Sequence, residues 1–205
     1  MAVSIPRRKF TVSEYYRMAK AGILGEDDRV ELLDGEIIQM SPIGPPHGGT
    51  VNRVNRLFGR LVGNRALVAV QNPVRLDTHS EPEPDIALLT PRTDDYARSH
   101  PRPGDVLLIV EVADTTAIID RRIKLPLYAR SGIAEVWLLV LNRTRQGRRS
   151  RSRTSPVLEV HRNPGPNGYA ETRLVRRGER IAPLALPDME IDVAELLGDD
   201  ESAED

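Results

Sequence analysis

The sequence predicts an α/β (α+β) fold organised around one apolar sheet, and three observations carry that prediction. Residues 106–112 are almost entirely Val, Leu and Ile, interrupted only by Glu111, the pattern of a strand covered on both faces. A helical span at 119–129 and a second apolar run at 136–141 follow, so strand, helix and strand form a βαβ crossover. Finally, Asp34-Gly35 separates two short apolar segments, the signal of a tight hairpin.

The remaining elements follow in chain order. Thr11-Val12-Ser13-Glu14 is a capping box, so a first helix runs from there to about Ala21. The hairpin pairs residues 30–33 with 36–40. Pro42, Pro45 and Pro46 make 41–49 a loop, and Val51, Val54, Phe58 and Leu61 then recur at helical spacing, placing a second helix at 49–61. Residues 66–70 and 74–76 read as strands. Glu81-Pro82-Glu83-Pro84 is extended, because a residue before proline avoids the α region, and it leads into an apolar strand at 86–89. A polar loop with room for one helical turn fills 90–104. The helix at 119–129 is apolar at Ile119, Ile123 and Leu127. Residues 157–161 and 169–175 form a late hairpin that turns at 164–168. The expected organisation is a single domain over 1–198 followed by an acidic, disordered tail at 199–205, where five of seven residues are acids.

Composition narrows the chemistry. The 205 residues carry a formal net charge of −1 and no cysteine, which excludes a disulfide scaffold, a thiolate metal site and a cysteine nucleophile. No stretch approaches the ~20 apolar residues of a membrane span, and residues 1–9 lead into no apolar signal core. The expectation is a cytoplasmic protein with no membrane contact. Of the 29 basic residues only Lys9, Lys20 and Lys124 are lysines. In so arginine-rich a chain, a lysine inside a structured element calls for a reason.

Four residues stand out for chemistry. Asp85 heads an apolar strand, Glu111 lies near the end of the most apolar one, and Glu31 sits mid-strand beside the hairpin turn. A carboxylate at the end of a buried strand must be paired, protonated or bound to a metal, and two that converge there form a hard oxygen site suited to Mg²⁺. Lys124 follows Asp120 by four residues and precedes Tyr128 by four, so the three share one helix face. Its bland alternative is a surface pair with Asp120. Arg121, Arg122 and Arg130 surround it, and a compact ammonium can hold a water in ways a guanidinium cannot. His47 lies in the proline-rich loop. No Ser-His-Asp context, phosphate-cradling glycine loop or zinc motif is present.

Glu-Leu-Leu-Asp-Gly-Glu at 31–36, the loop reaching His47, Glu-Pro-Glu-Pro-Asp at 81–85, Val-Glu-Val-Ala-Asp at 110–114, and Asp120 with Lys124, Tyr128, Gly132 and Trp137 occur in one order. Together they resemble the Uma-two family of restriction-endonuclease-like proteins, within the PD-(D/E)XK nuclease superfamily, over roughly residues 10–190. The resemblance implies a restriction-endonuclease-like core, a mixed sheet flanked by helices with its acidic cluster at one sheet edge. It implies that Asp85 and Glu111 hold Mg²⁺, or Mn²⁺ in its place, with the Val112 carbonyl as a further ligand. Glu31 becomes an accessory acid and His47 a rim residue. The usual superfamily lysine lies two positions after the glutamate, where this chain has Ala113. Lys124, from the next helix, takes its place.

The expected function is Mg²⁺-dependent hydrolysis of DNA phosphodiester bonds, with Asp85, Glu111, Lys124 and Glu31 as the catalytic set. The alternatives are a silent nuclease-fold module that binds DNA or serves structure, and a hydrolase of smaller phosphate esters. Cutting both strands of a duplex calls for two sites, hence a homodimer. Residues 143–153, with six arginines in eleven positions, read as a flexible basic loop that contacts DNA phosphates. The competing reading of that loop is a solvated insertion.

Overall fold

Thr11 starts the first helix, α1 (Val12–Lys20). Its hydroxyl accepts from the Glu14 N–H at 3.2 Å, and the Glu14 carboxylate accepts from the Thr11 N–H at 3.0 Å, which is the expected reciprocal cap. The computed structural model describes residues 7–25, 27–114, 117–141, 143–144 and 153–198. Strands β1 (Val30–Leu33) and β2 (Glu36–Gln39) pair antiparallel around Asp34 and Gly35, whose φ angles are 50° and 75°. Glycine is required at 35 for a second reason, since a Cβ there would sit 2.5 Å from that of Lys9.

Helix α2 (Pro45–Val62) begins one turn earlier than the sequence suggests. Proline reads as a helix breaker, but in the first turn its missing N–H has no intrahelical partner to lose and its fixed φ suits the helix. His47 therefore belongs to the first turn of α2 and not to a loop. Strands β3 (Leu67–Val70), β4 (Ile86–Leu89) and β5 (Val106–Ala113) follow. The expected strand at 74–76 is not one. Its backbone bonds to its own returning chain, Val74 N–H to the Pro82 carbonyl at 2.9 Å and Leu76 N–H to that of Ser80 at 3.0 Å.

The crossover after β5 is not one regular helix. A short turn, α3 (Ala117–Ile119), passes into a π-helical turn at Asp120–Lys124 and then into α4 (Leu125–Arg130). The Leu125 N–H bonds back to the Asp120 carbonyl, five residues earlier. This wider turn rotates Asp120 and Lys124 inward and leaves Ile119 and Ile123 exposed, reversing the apolar face that a 3.6-residue period assigns. Single-turn π segments of this kind are frequent at functional sites.

Strand β6 (Glu135–Val140) runs parallel to β5, completing the crossover. The ends of the arginine-rich segment pair as β7 (Arg143–Thr144) and β8 (Arg153–Thr154), while 145–152 lie outside the described residues, as does the tail at 199–205. Strands β9 (Val157–Gly165) and β10 (Gly168–Val175) form the late hairpin. The small strands β11 (Arg180–Ile181) and β12 (Ile191–Asp192) and helix α5 (Val193–Leu197), none of them expected from the sequence, close the described chain.

The principal sheet is mixed, in the order β10-β9-β6-β5-β4-β3, with β5 and β6 its parallel pair. Leu108, Val110, Trp137, Leu139 and Leu158 face α2 and α5 in one core. On the opposite face, Ile109, Val136, Ala87 and Leu89 pack with Leu127 and Tyr128 of α4 and Leu33 of β1. No described helix is long and apolar enough to cross a membrane.

Arg121 ties the π turn to this sheet. Its guanidinium grips Glu159 of β9 at 2.9 and 2.6 Å. Although burial raises the Glu159 pKa, the nearby His161 ring, 3.7 Å away, and the hydrogen-bonded Arg121 guanidinium outweigh it and bring the pKa down to about 2, against an ordinary 4.5. A lowered carboxylate pKa stabilises the fold above the unfolded value, and that stabilisation disappears as pH falls toward the folded value. Glu159→Gln is expected to cost about 2 kcal/mol at neutral pH. The difference from the native chain should shrink between pH 4.5 and 2. Thermal melts across that range measure it, and a gap independent of pH would mean that the ion pair contributes nothing.

Candidate active site

The acids meet because of strand register. Strands β4 and β5 pair antiparallel with Ile86 opposite Val110, so Asp85, one residue before β4, comes opposite Glu111. Side chains alternate along a strand, and both residues point to the α4 face. The Asp85 Oδ2 accepts from the Val112 N–H at 2.8 Å, fixing the carboxylate across the gap where β4 ends. The cluster thus lies where two inner strands, β4 and β5, end at one margin of the sheet.

Lys124 reaches the same point from the π turn. Its Nζ is 3.3 Å from Glu111 Oε1 and 3.2 Å from Glu31 Oε2. Lys124, Glu111 and Glu31 are 6%, 3% and 5% exposed. This rules out the surface pair with Asp120 as the reason for the lysine. Glu31 is held in turn by the Glu83 N–H at 3.1 Å, so the hairpin is anchored to the Pro-Glu-Pro-Asp segment. The Tyr128 hydroxyl, one turn beyond Lys124, donates to Glu111 Oε1 at 2.6 Å. Asp120, Lys124 and Tyr128 share one face, as their spacing predicts, and the π turn makes it the inner face of the crossover.

Burial pushes the Glu111 pKa above the ordinary carboxylate value, against the opposing ammonium of Lys124. Burial acts to lower the pKa of Lys124, but the fields of Glu111, Glu31, Asp120 and Asp85 prevail and hold it above the ordinary lysine value. Burial also raises the Tyr128 hydroxyl well above its usual range, so it serves as a donor. Burial, reinforced by Glu31, raises Glu83 as well. A site this crowded with acids favours any added cation.

Two further side chains bear on Asp85. His47 Nε2 lies 2.8 Å from Asp85 Oδ1, and that contact raises the histidine pKa. The loop-rim residue of the sequence reading is thus in direct contact with the principal acid. Gln71 was not singled out from the sequence. It follows β3 with φ at 50°, its N–H bonds to the Asp85 carbonyl at 3.1 Å, and its side-chain amide donates to Asp85 Oδ1 at 3.3 Å. A non-glycine residue held in the left-handed region is uncommon and often marks a functional site, but nothing in Gln71-Asn72-Pro73 announces that conformation. The cleft that exposes these groups is bordered by Arg29, Met40, Ile43 and Ile119. Among the described residues, no three His, Cys, Asp or Glu side chains converge closely enough to hold a metal ion by themselves.

The Uma2 family model, described as "Putative restriction endonuclease", matches residues 12–194. Among solved structures, the chain is similar to the crystal structure of a "putative nuclease belonging to DUF820" from Anabaena variabilis. The TM-score is 0.67 at 15% sequence identity, covering 92% of this chain and 97% of that one. At that identity the likeness is one of fold. No curated protein matches the chain.

Proposed function

As this chain belongs to the Uma2 family of restriction-endonuclease-like proteins, we propose that it is a divalent-metal-dependent endonuclease hydrolysing DNA phosphodiester bonds in the Asp85–Glu111 cleft. The observation that carries this reading is the convergence of Lys124 with Glu111 and Glu31 beside Asp85, buried at the ends of strands and open to solvent on one side. An ordinary structural ion pair needs one acid, whereas here a lysine is held among several.

The donor set fits Mg²⁺, with Mn²⁺ as a substitute. Mg²⁺ takes oxygen ligands, keeps several waters and is commonly held by one or two carboxylates, so a third protein side chain is not required. Asp85 and Glu111 would supply the carboxylates. Val112 would add its carbonyl, a reading supported by its N–H pointing at Asp85, since the N–H and C=O of a strand residue leave from the same edge. The metal, when bound, supplies Lewis-acid polarisation of the scissile phosphate and of the attacking water.

The chain's own groups do the rest. Lys124 orients the attacking water and stabilises charge that develops on the phosphoryl oxygens. Glu31 keeps Lys124 charged and fixes its ammonium. Tyr128 holds the Glu111 carboxylate in one rotamer, while His47 and Gln71 do so for Asp85. Exposed Arg29 at the rim and the arginines of 143–153 contact DNA phosphates. In the reaction, water adds to phosphorus, one P–O ester bond breaks, and the departing oxygen takes up a proton.

Incubating supercoiled plasmid with Mg²⁺ or Mn²⁺ should yield nicked and linear DNA, and chelation should stop it. Single-stranded DNA and small phosphate esters, run in parallel, separate an endonuclease from a hydrolase of smaller substrates. Intact plasmid with every metal, from protein that melts cooperatively, would instead favour a silent module on the nuclease fold.

A further inference from the structure

We propose that β10 is a self-complementary edge through which two copies of this chain pair, extending the six-stranded sheet continuously across a two-fold axis. Strand β10 ends the sheet and bonds only to β9. Among the described residues no backbone hydrogen bond joins 168–174 to any other segment. Residues 170–173 are exposed. An eight-residue edge strand presents a row of unpaired N–H and C=O groups. Chains usually blunt such an edge with proline, lysine or a covering segment. Between Gly168 and Val175 there is neither proline nor lysine.

The side chains specify which partner fits. When Thr172 is set opposite Thr172 of the partner subunit in an antiparallel pair, Glu171 faces the partner's Arg173, and Arg173 faces the partner's Glu171. One step further out, Ala170 meets the partner's Leu174, which is half-buried in the single chain. The segment Ala-Glu-Thr-Arg-Leu therefore reads as its own complement, with opposite charges at the inner positions and apolar contacts at the outer ones. That is what an isologous interface requires, and opposite-charge and apolar cross-strand pairs both stabilise sheets. Arg173 already touches Glu179 at 3.0 Å, but both side chains are exposed and the guanidinium retains donors for a second carboxylate.

The pairing leaves the cleft open. In the sheet order, β10 is separated from β5 by β9 and β6. The two-fold axis stands perpendicular to the sheet, so both copies present their α4 faces on the same side. The two β5 strands then lie about 34 Å apart, seven strand spacings of about 4.8 Å. The interface itself does not depend on what the cleft does.

Sedimentation equilibrium of the full chain tests this. The native protein should be dimeric at micromolar concentration. Glu171→Arg and Arg173→Glu, each placing like charges opposite one another at two symmetric positions, should weaken association about tenfold to hundredfold, with melting of the monomer unchanged for Glu171→Arg and lowered slightly for Arg173→Glu, which loses the exposed pair with Glu179. Mixing these two variants should restore a 1:1 dimer, because every facing pair then has opposite charges. A monomeric native chain, single variants that dimerise as tightly as the native chain, or a mixture that fails to associate would each overturn the proposal.

Discussion

Asp85→Asn and Glu111→Gln should each reduce metal-dependent DNA cleavage by on the order of 10³-fold or more, while Lys124→Met should lose activity and stability together. The difference follows from charge. Each amide keeps the shape of the acid it replaces, and the Gln side chain still accepts from Tyr128. Removing one charge from a crowded acidic cluster also relieves repulsion. Lys124→Met instead leaves Glu31 and Glu111 buried with their shared ammonium gone. Removing one partner from a buried ion pair costs about 3–5 kcal/mol. Adding Glu111→Gln to Lys124→Met should recover part of that stability and none of the cleavage. Lys124→Arg should not rescue turnover, because a planar fork does not fit where a point charge bridges two carboxylates. Plasmid cleavage, urea melts and calorimetric Mn²⁺ binding on the same five variants separate these effects. Full cleavage by either amide variant would remove Asp85 or Glu111 from the site. Undiminished cleavage by Lys124→Arg would reduce the lysine to a structural charge.

The central strands and the principal acids were legible because their signals are local. An apolar run such as 106–112 can only be a strand buried on both faces, and a lone Glu111 within it must find a partner. Lys124 was legible by contrast with the arginines around it. The geometry that joins them was not local. The π turn at Asp120–Lys124 decides which side chains face inward, and 3.6-residue periodicity places Ile119 and Ile123 on the wrong side. Helix α2 was shortened because two prolines resemble a break when they form a helix start. Gln71 escaped notice because its role rests on a backbone angle that its side chain does not encode. The late elements β11, β12 and α5 are too short to show periodicity, and they form by docking on a core built from distant strands.

Glu135→Ala should be among the most destabilising single changes in the chain, at about 3–5 kcal/mol, although the residue stands outside the cleft. The apolar run at 136–141 hides it, for it sits one residue before that run and is 0% exposed. One carboxylate oxygen accepts from Trp137 Nε1 at 2.8 Å and from Arg162 Nε at 2.8 Å, and the other accepts from the Leu184 N–H at 2.6 Å. Alanine would leave the buried Trp137 indole N–H without its acceptor, and it would take a bond from the Leu184 N–H and the carboxylate from the part-buried Arg162 guanidinium, which keeps the Ala182 carbonyl. It would also release the segment that carries Leu186, Met189 and Ile191 onto the α2 side of the core. Glutamine should fare only partly better. Its carbonyl can serve one set of donors, but its NH₂ then confronts the other. Against a total of about 5–15 kcal/mol for a typical domain, the alanine variant should lose a large share of its stability and melt well below the native chain. Its remaining folded fraction should cleave at the native rate per molecule, since no group of the cleft has moved. Pairing Glu135→Leu with Arg162→Met, which removes charge and donor together, should recover much of the loss, as apolar replacements of buried ion pairs do. Circular dichroism melts of the single and double variants measure this. A Glu135→Ala protein as stable as the native chain would show that these hydrogen bonds accompany the docking of the C-terminal segment without sustaining it.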